Sequence, residues 1–220
     1  MSLWRVEKNY LNIGGQEICL TRADGSPPHK LAAKPGDWQA LREELHGLLT
    51  TKAALIVVVA DCWVRYFLME LPDEIVNLDE SFLLLNARFE SLYGQPAAEW
   101  MIQADWHKGE PMLACALPRK LLQAIDAYAL RSLVPQLIAG WRQQCASLPP
   151  TGAWCLLQDG ISTLLYWQQG VLRLVRQLRC TDVDALLSLE LLRLGEQLPA
   201  DRFWTGDARP LHWLPLEAAA

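Results

Sequence analysis

Two short apolar stretches fall within Asn9 to Arg22, and Gly14-Gly15 between them is a hairpin signal. The second stretch, Gln16 to Thr21, alternates apolar and polar residues as a half-buried strand does. Asp24-Gly25-Ser26-Pro27-Pro28 predicts a loop, because its Gly and Pro take backbone angles that break regular structure. A helix is predicted to start at Asp37, its N-cap, with Trp38, Leu41, Leu45, Leu48 and Leu49 on one face. Ala54 to Ala60 is a continuous apolar run rich in β-branched residues, expected of a strand covered on both faces. Trp63 to Glu70 predicts another strand, stopped at Leu71-Pro72.

Asp79 to Tyr93 has helical spacing, with Phe82, Leu85, Phe89 and Leu92 on one stripe. Trp100 to Trp106 and Met112 to Leu117 flank a turn at His107 to Pro111, a second hairpin. Pro118 opens a predicted helix reaching about Tyr128, and Val134 to Cys145 predicts another. Three strands then form a meander: Trp154 to Leu157, Ile161 to Trp167 and Val171 to Leu178, turning at Asp159-Gly160 and Gln169-Gly170. A helix over Asp182 to Leu194 and a short stretch at Arg202 to Thr205 follow. The same succession of hairpin, helix and strand thus occurs in both halves, which predicts mixed α/β organisation. Leu148-Pro149-Pro150-Thr151-Gly152 is the expected connection, dividing an amino-terminal lobe, 1–147, from a partial carboxy-terminal lobe, 148–220.

Composition narrows the classes. The 220 residues are 51% hydrophobic and 20% charged, enough for a sizeable core. A formal net charge of −5 argues against bulk nucleic-acid binding, which needs a basic footprint. Met1 to Lys8 lacks the apolar stretch of a signal peptide, and the run Ala53 to Ala60 is about half of what crosses a bilayer. Together these predict a soluble cytoplasmic protein. The six cysteines Cys19, Cys62, Cys115, Cys145, Cys155 and Cys180 show no C-x-x-C spacing, and most read as small core residues. His29, His46, His107 and His212 lie far apart without paired spacing, so no metal site is expected.

Catalytic signatures are sparse. The sequence holds no G-x-S-x-G elbow, no phosphate-loop lysine motif and no G-x-G-x-x-G. Cys62 makes a poor nucleophile, since neighbouring Asp61 raises the cost of a thiolate. Asp61, Glu70 and Asp159 fall at strand ends or turns, where RNase H-like nucleases hold metals. Nuclease acids more often face one another from strand centres, and a net-acidic chain repels nucleic acid. Arg173, Arg176 and Arg179 form a basic strip on the last meander strand. Arg173 and Arg179 share its parity, and Arg176 faces the other way if the strand is regular. The strip reads either as protection of an exposed edge or as a docking site for an acidic segment. Trp100, Trp106, Trp204 and Trp213 pose the same choice between burial and interface.

The succession of elements resembles the actin-like pilus and secretion proteins of the PilM and GspL type. The run Ala54 to Pro72 looks like their strand, polar break and second strand, and Met112 to Ala127 is similar to their next strand and helix. Ala153 to Cys180 looks like the second phosphate-loop hairpin, and Asp182 to Gly206 resembles the last helix and strand. The resemblance implies two RNase H/actin-type lobes, shortened here, since two full lobes of roughly 150 residues exceed this chain.

It also implies where nucleotide loops would lie. The first, Leu11-Asn12-Ile13-Gly14-Gly15, keeps Gly14 and Gly15 but has Asn12 where a carboxylate is wanted. The second, Gln158-Asp159-Gly160-Ile161-Ser162-Thr163, keeps Gly160 and Thr163 but has Gln158 at the acidic position. A shift of one residue would put Asp159 there instead. The last loop has the single Gly206 where two glycines belong, and Asp207 would repel an anion. The resemblance therefore implies a non-catalytic scaffold or adaptor, without cofactor, in a type IV pilus or type II secretion assembly platform. Its partner would be a cytoplasmic segment of an inner-membrane protein, adding to a sheet edge or entering a groove between lobes. It would then sit peripherally at the inner membrane through that partner. The alternative is a nucleotide-binding actin-like ATPase or sugar-kinase-like phosphotransferase using the same cleft. A self-associating protein, such as a homodimer, is a third reading.

Overall fold

A computed structural model describes residues 8–75, 77–107, 109–179, 182–206, 210 and 213–215. In chain order its elements begin with β1 (Lys8–Ile13), β2 (Ile18–Thr21), β3 (His29–Lys30), α1 (Trp38–Leu48) and β4 (Ala54–Val59). Next come β5 (Arg65–Met69), α2 (Leu78–Tyr93), β6 (Trp100–Ala104), β7 (Met112–Pro118) and α3 (Arg119–Ile125). The remainder is β8 (Ala129–Pro135), α4 (Gln136–Gln144), β9 (Gly152–Gln158), β10 (Ile161–Gln168), β11 (Val171–Leu178), α5 (Val183–Leu194), β12 (Arg202–Gly206) and β13 (Leu214–Pro215). Two compact units result, each discontinuous in sequence: Met1–Trp63 with Pro118–Ala139, and Val64–Leu117 with Gly140–Ala220. This division differs from the boundary expected at 147/148, because residues 64–117 pack with the carboxy-terminal strands rather than with the strands that precede them.

The first unit is built on a five-stranded sheet in the order β3-β2-β1-β4-β8. β1 pairs antiparallel with β2 and parallel with β4, and β4 pairs parallel with β8. Leu11 and Ile13 of β1 are buried while Tyr10 and Asn12 are exposed, the alternation of a strand with one covered face. α1 begins where Asp37 accepts the Ala40 N–H at 3.1 Å, and it buries Leu41 and Leu45. β8 departs from the sequence reading, which has helix on both sides of Tyr128 and no strand. Its Leu130, Leu133 and Val134 follow no strict alternation, and pairing with β4 sets its conformation. A bulge places Arg131 out of register, between Leu130, opposite Leu55, and Ser132, opposite Ile56.

The second unit repeats that order in the sheet β11-β10-β9-β12-β13. β9, β10 and β11 form an antiparallel meander, β12 runs parallel to β9, and β13 runs parallel to β12. The repeated topology confirms the expected RNase H/actin-type architecture of mixed sheets with flanking helices. One face of this sheet packs Ala153, Cys155, Leu164, Tyr166 and Leu174 against Val183, Leu187 and Leu191 of α5. On the other face Trp141 stacks on Trp154 and meets Trp167 edge-on.

The same unit carries a three-stranded sheet, β5-β7-β6, joined with α2 around Phe67, Leu85, Phe89, Trp100 and Met112. α2 buries Ser81, Leu85 and Phe89, whereas Phe82 and Leu92 of the expected stripe are exposed, as are Leu78 and Leu83. The apolar stripe is thus narrower than the spacing predicted. Trp100 and Trp213 are buried, and Trp106 and Trp204 are half-buried. Of the described cysteines only Cys155 is buried, Cys145 is exposed, and Cys19, Cys62 and Cys115 are half-buried, so the core reading holds for one of the five. Cys180 and His212 lie outside the described residues.

Burial raises the Tyr93 hydroxyl above its ordinary value against the opposing fields of Arg65 and Arg176, and its O–H donates to the Tyr66 carbonyl at 2.6 Å. Burial pushes Tyr128 and Tyr166 the same way. A raised phenol keeps its proton longer in the folded chain, so the stability it gives is complete below the unfolded value of about 10 and is lost above it. The melting temperature should therefore fall as pH is raised past about 10, and less steeply in Tyr93→Phe. A fall of equal slope in both proteins would refute the assignment to Tyr93.

Candidate functional site

Parallel pairing of β1 with β4 brings the β1–β2 turn and the end of β4 to the same end of the first sheet. Ile13 and Ile18 are opposite one another, leaving a four-residue turn, 14–17. Within it the Gly14 N–H donates to the Glu17 carbonyl at 2.9 Å. A Cβ on Gly14 would lie 2.8 Å from that same carbonyl oxygen, so glycine is required by the turn itself. The Gly14 carbonyl in turn accepts the Trp63 indole N–H at 3.0 Å. Trp63 meets Trp38 edge-on at 5.2 Å and lies under Gly36, where φ is +95° and a Cβ would come 3.0 Å from the indole. Lys30 bridges Glu17 at 2.7 Å, and its hydrogen bond and charge hold the Glu17 carboxyl below the usual range.

Asn12 is exposed, and the buried acid at this end is Asp61, just past β4. Its Oδ1 accepts the Leu137 N–H at 3.1 Å, at the start of α4. A carboxylate there complements the positive end of the helix and occupies a position that an anionic ligand could otherwise use. Sequence reasoning marked Asp61 only as a strand-end acid and Trp63 only as the start of a strand, whereas Trp63 lies in a helical turn, Asp61–Trp63, against the Gly14 turn. The one signal in the sequence was the Asp-Cys-Trp step directly after an apolar strand.

In the second unit the corresponding turn is tighter. Gln158 and Ile161 are opposite one another, so Asp159 (φ 53°) and Gly160 (φ 72°) alone make the turn. Gly160 faces open space, and its backbone angle is what calls for glycine. Gln158 closes β9 with its Oε1 buried and without a hydrogen-bond partner among the described residues. Thr163 is wholly buried within β10, opposite Leu156 and Gln177, and its Oγ1 also lacks a hydrogen-bond partner among the described residues. Gly206 ends β12 opposite Leu157, at φ +111°, where an added Cβ would overlap the Leu157 carbonyl. The fold therefore brings Gln158, Asp159, Gly160 and Gly206 to one end of the second sheet, with Gly14 and Gly15 in the corresponding turn of the first unit. Thr163 stands in a strand interior, and Asp207 lies outside the described residues.

The arginine strip separates into different roles. Arg176 Nε bonds Glu190 of α5 at 3.0 Å, and Arg193 bonds the same carboxylate at 2.6 Å. Glu190 is buried, so the two guanidinium groups neutralise a charge taken out of water. Arg173 lies at a bulge in β11, between Leu172, opposite Trp167, and Leu174, opposite Tyr166, so the regular parity expected for the strip does not hold. Arg173 and Arg179 are exposed. β11 is the last hydrogen-bonded strand of its sheet, as the protective reading assumed, and β5 of the same unit lies near it. Among the described residues no group of three His, Cys, Asp or Glu side chains is placed to hold a metal, and no helix is long and apolar enough to cross a membrane.

Three substitutions separate these roles. Gly206→Ala should cost roughly 2–4 kcal/mol, through strain and overlap with the Leu157 carbonyl. Arg176→Ala should cost about 1 kcal/mol, since this arginine is half exposed, and Arg173→Ala almost nothing. Urea unfolding reads all three, and equal losses for the two arginines would contradict the division.

No protein-family model matches the sequence, and no curated protein matches it either. Solved structures do match. A Bacteroides thetaiotaomicron protein with an actin-like ATPase fold and unknown function is 9% identical, with a TM-score of 0.59 over 94% of this chain and 86% of that one. The PilM-PilN type IV pilus biogenesis complex matches at 16% identity and a TM-score of 0.58, over 92% of this chain and 82% of its own. The cytoplasmic domain of EpsL, an inner-membrane component of the type II secretion system of Vibrio cholerae, matches at 14% and 0.57, over 96% and 90%. At such identities the likeness is one of architecture, and it agrees with the twice-repeated sheet order: the chain has the actin-like fold.

Proposed function

We propose that this chain is a non-catalytic adaptor of a type IV pilus or type II secretion inner-membrane assembly platform, holding a cytoplasmic segment of a membrane partner. One observation carries the non-catalytic part: the Gly14 amide and carbonyl are both spent inside the first unit, on Glu17 and Trp63. An amide bonded to a carbonyl 2.9 Å away cannot also be offered to a phosphate. Asn12 and Gln158 supply no negative charge for a metal-bound nucleotide, and buried Thr163 presents no hydroxyl to one. The likeness to PilM in its complex with PilN, and to the EpsL cytoplasmic domain, supports the assembly-platform part.

The partner segment would add to β6, the last strand of the β5-β7-β6 sheet among the described residues. Main-chain hydrogen bonds would supply affinity there, and alternate side chains specificity. The protein would reside at the inner membrane through this partner.

ATP with Mg²⁺ at millimolar concentration should leave the thermal melt unchanged. A ligand present at 100 times its Kd would add about 2.7 kcal/mol, which is easily seen. A purified cytoplasmic segment from an inner-membrane pilus or secretion protein encoded beside this chain should instead raise the melting temperature. A rise with nucleotide that disappears in Gly160→Val would replace the adaptor with an ATPase or phosphotransferase. Failure of every such segment to bind would remove the adaptor.

A further inference from the structure

At the start of β4 and β8 in the first unit, opposite the end that carries the Gly14 turn, is a cavity of about 410 Å³. Its wall brings together Arg22 from the segment after β2, Lys52 from the turn after α1, and Arg131 from β8, with Asp24 as the one carboxylate among the described residues. Three positive charges against one negative stand out on a chain whose formal net charge is −5. Lys52 and Arg131 are exposed, and neither has an ion-pair partner among the described residues.

The site is shaped by the fold as well as by its charges. The β8 bulge falls at Arg131, and such bulges re-aim the side chain that they displace. Buried Asn9 ties the neighbouring loop to the sheet, donating to the Ala54 carbonyl at 3.1 Å and accepting the Ala23 N–H at 3.1 Å. Arg22 is steadied in turn by Ser26, whose Oγ accepts its Nε–H at 3.1 Å, and by Asp24 at 3.7 Å.

We propose that this cavity is a docking site for an acidic, extended peptide segment of a partner protein. Spacing decides among anions. Arg22 follows β2 and Arg131 is on β8, with β1 and β4 between them, so the two are anchored about 14 Å apart at the usual strand separation. One phosphate group cannot span that, whereas carboxylates at alternate positions of an extended peptide recur about every 7 Å. The concave wall also disfavours a planar membrane surface. Leu48 and Leu49, at the end of α1, belong to the same wall, and helix-end carbonyls accept N–H donors that a peptide backbone carries and a phosphate lacks. This site goes beyond the adaptor reading: it lies in the other unit from β6 and needs only a partner with alternating acids.

Fluorescence anisotropy with a labelled Glu-Ser-Glu-Ser-Glu-Ser-Glu peptide at low salt tests the proposal on the whole chain. The peptide should bind, its Gln-for-Glu counterpart should not, and inorganic phosphate should displace it only at ionic strengths that any salt matches. Lys52→Ser with Arg131→Ser should weaken binding about tenfold, and Arg173→Ser with Arg179→Ser less than about twofold. Equal loss in the two double variants would reduce the effect to general charge and overturn the site. Absence of peptide binding, or stronger attachment to phosphatidylglycerol vesicles through Lys52 and Arg131, would overturn the peptide class. The unmodified protein with the two peptides and phosphate already decides the class, whatever the variants do.

Discussion

Parallel pairing of the first strand of each hairpin with a later strand, β1 with β4 and β9 with β12, organises both candidate turns in this chain. A hairpin strand and a parallel neighbour point the same way, so the hairpin turn and the end of the neighbour must meet at one end of the sheet. In the first unit this sets Gly14 beside the segment that carries Asp61 and Trp63. In the second it sets Gln158, Asp159 and Gly160 beside Gly206. The close approach at Gly206 follows from the same pairing: with β12 held to β9, no room remains for a Cβ against Leu157.

At the end of the first sheet, groups that could meet a ligand are bonded within the protein: the Gly14 amide and carbonyl to Glu17 and Trp63, and the Leu137 amide at the start of α4 to Asp61. A hydrogen bond already made inside the fold has to be broken before a ligand can use its donor, and leaving a buried partner unsatisfied costs more than the bond itself contributes. Glu190 shows the same economy of charge, its buried carboxylate being met by Arg176 and Arg193. Exposed positive charge is found in the first unit at the other end of the sheet, at Lys52 and Arg131, and in the second on β11 at Arg173 and just past it at Arg179.

Much of the fold was legible wherever local chemistry and tertiary pairing agree. Asp-Gly and Gln-Gly between apolar runs specify two-residue turns with left-handed backbone angles, and both turns form as read. Asp37 and Asp182 each cap a helix because a short carboxylate reaches the amides three residues on. The candidate loops were legible in part, since glycines mark tight turns whether or not a phosphate is bound. Thr163 illustrates the limit: the family resemblance counted it with a nucleotide loop, whereas the hydrophobic pattern put it in a strand and strand pairing buries it in the core.

The sequence by itself determined the hairpins, the capped helices and the mixed α/β succession, because each is encoded within a few neighbouring residues. Only the tertiary structure decided that 129–135 is a strand, that residues 64–117 join the carboxy-terminal unit, and that Arg176 belongs to Glu190 while Trp63 belongs to Gly14. The two hydrogen bonds join residues 14 and 49 apart in the chain, and β8 takes its place by pairing with β4, which begins at Ala54. Contacts at that separation are selected by the packing of the whole sheet, which no local pattern records.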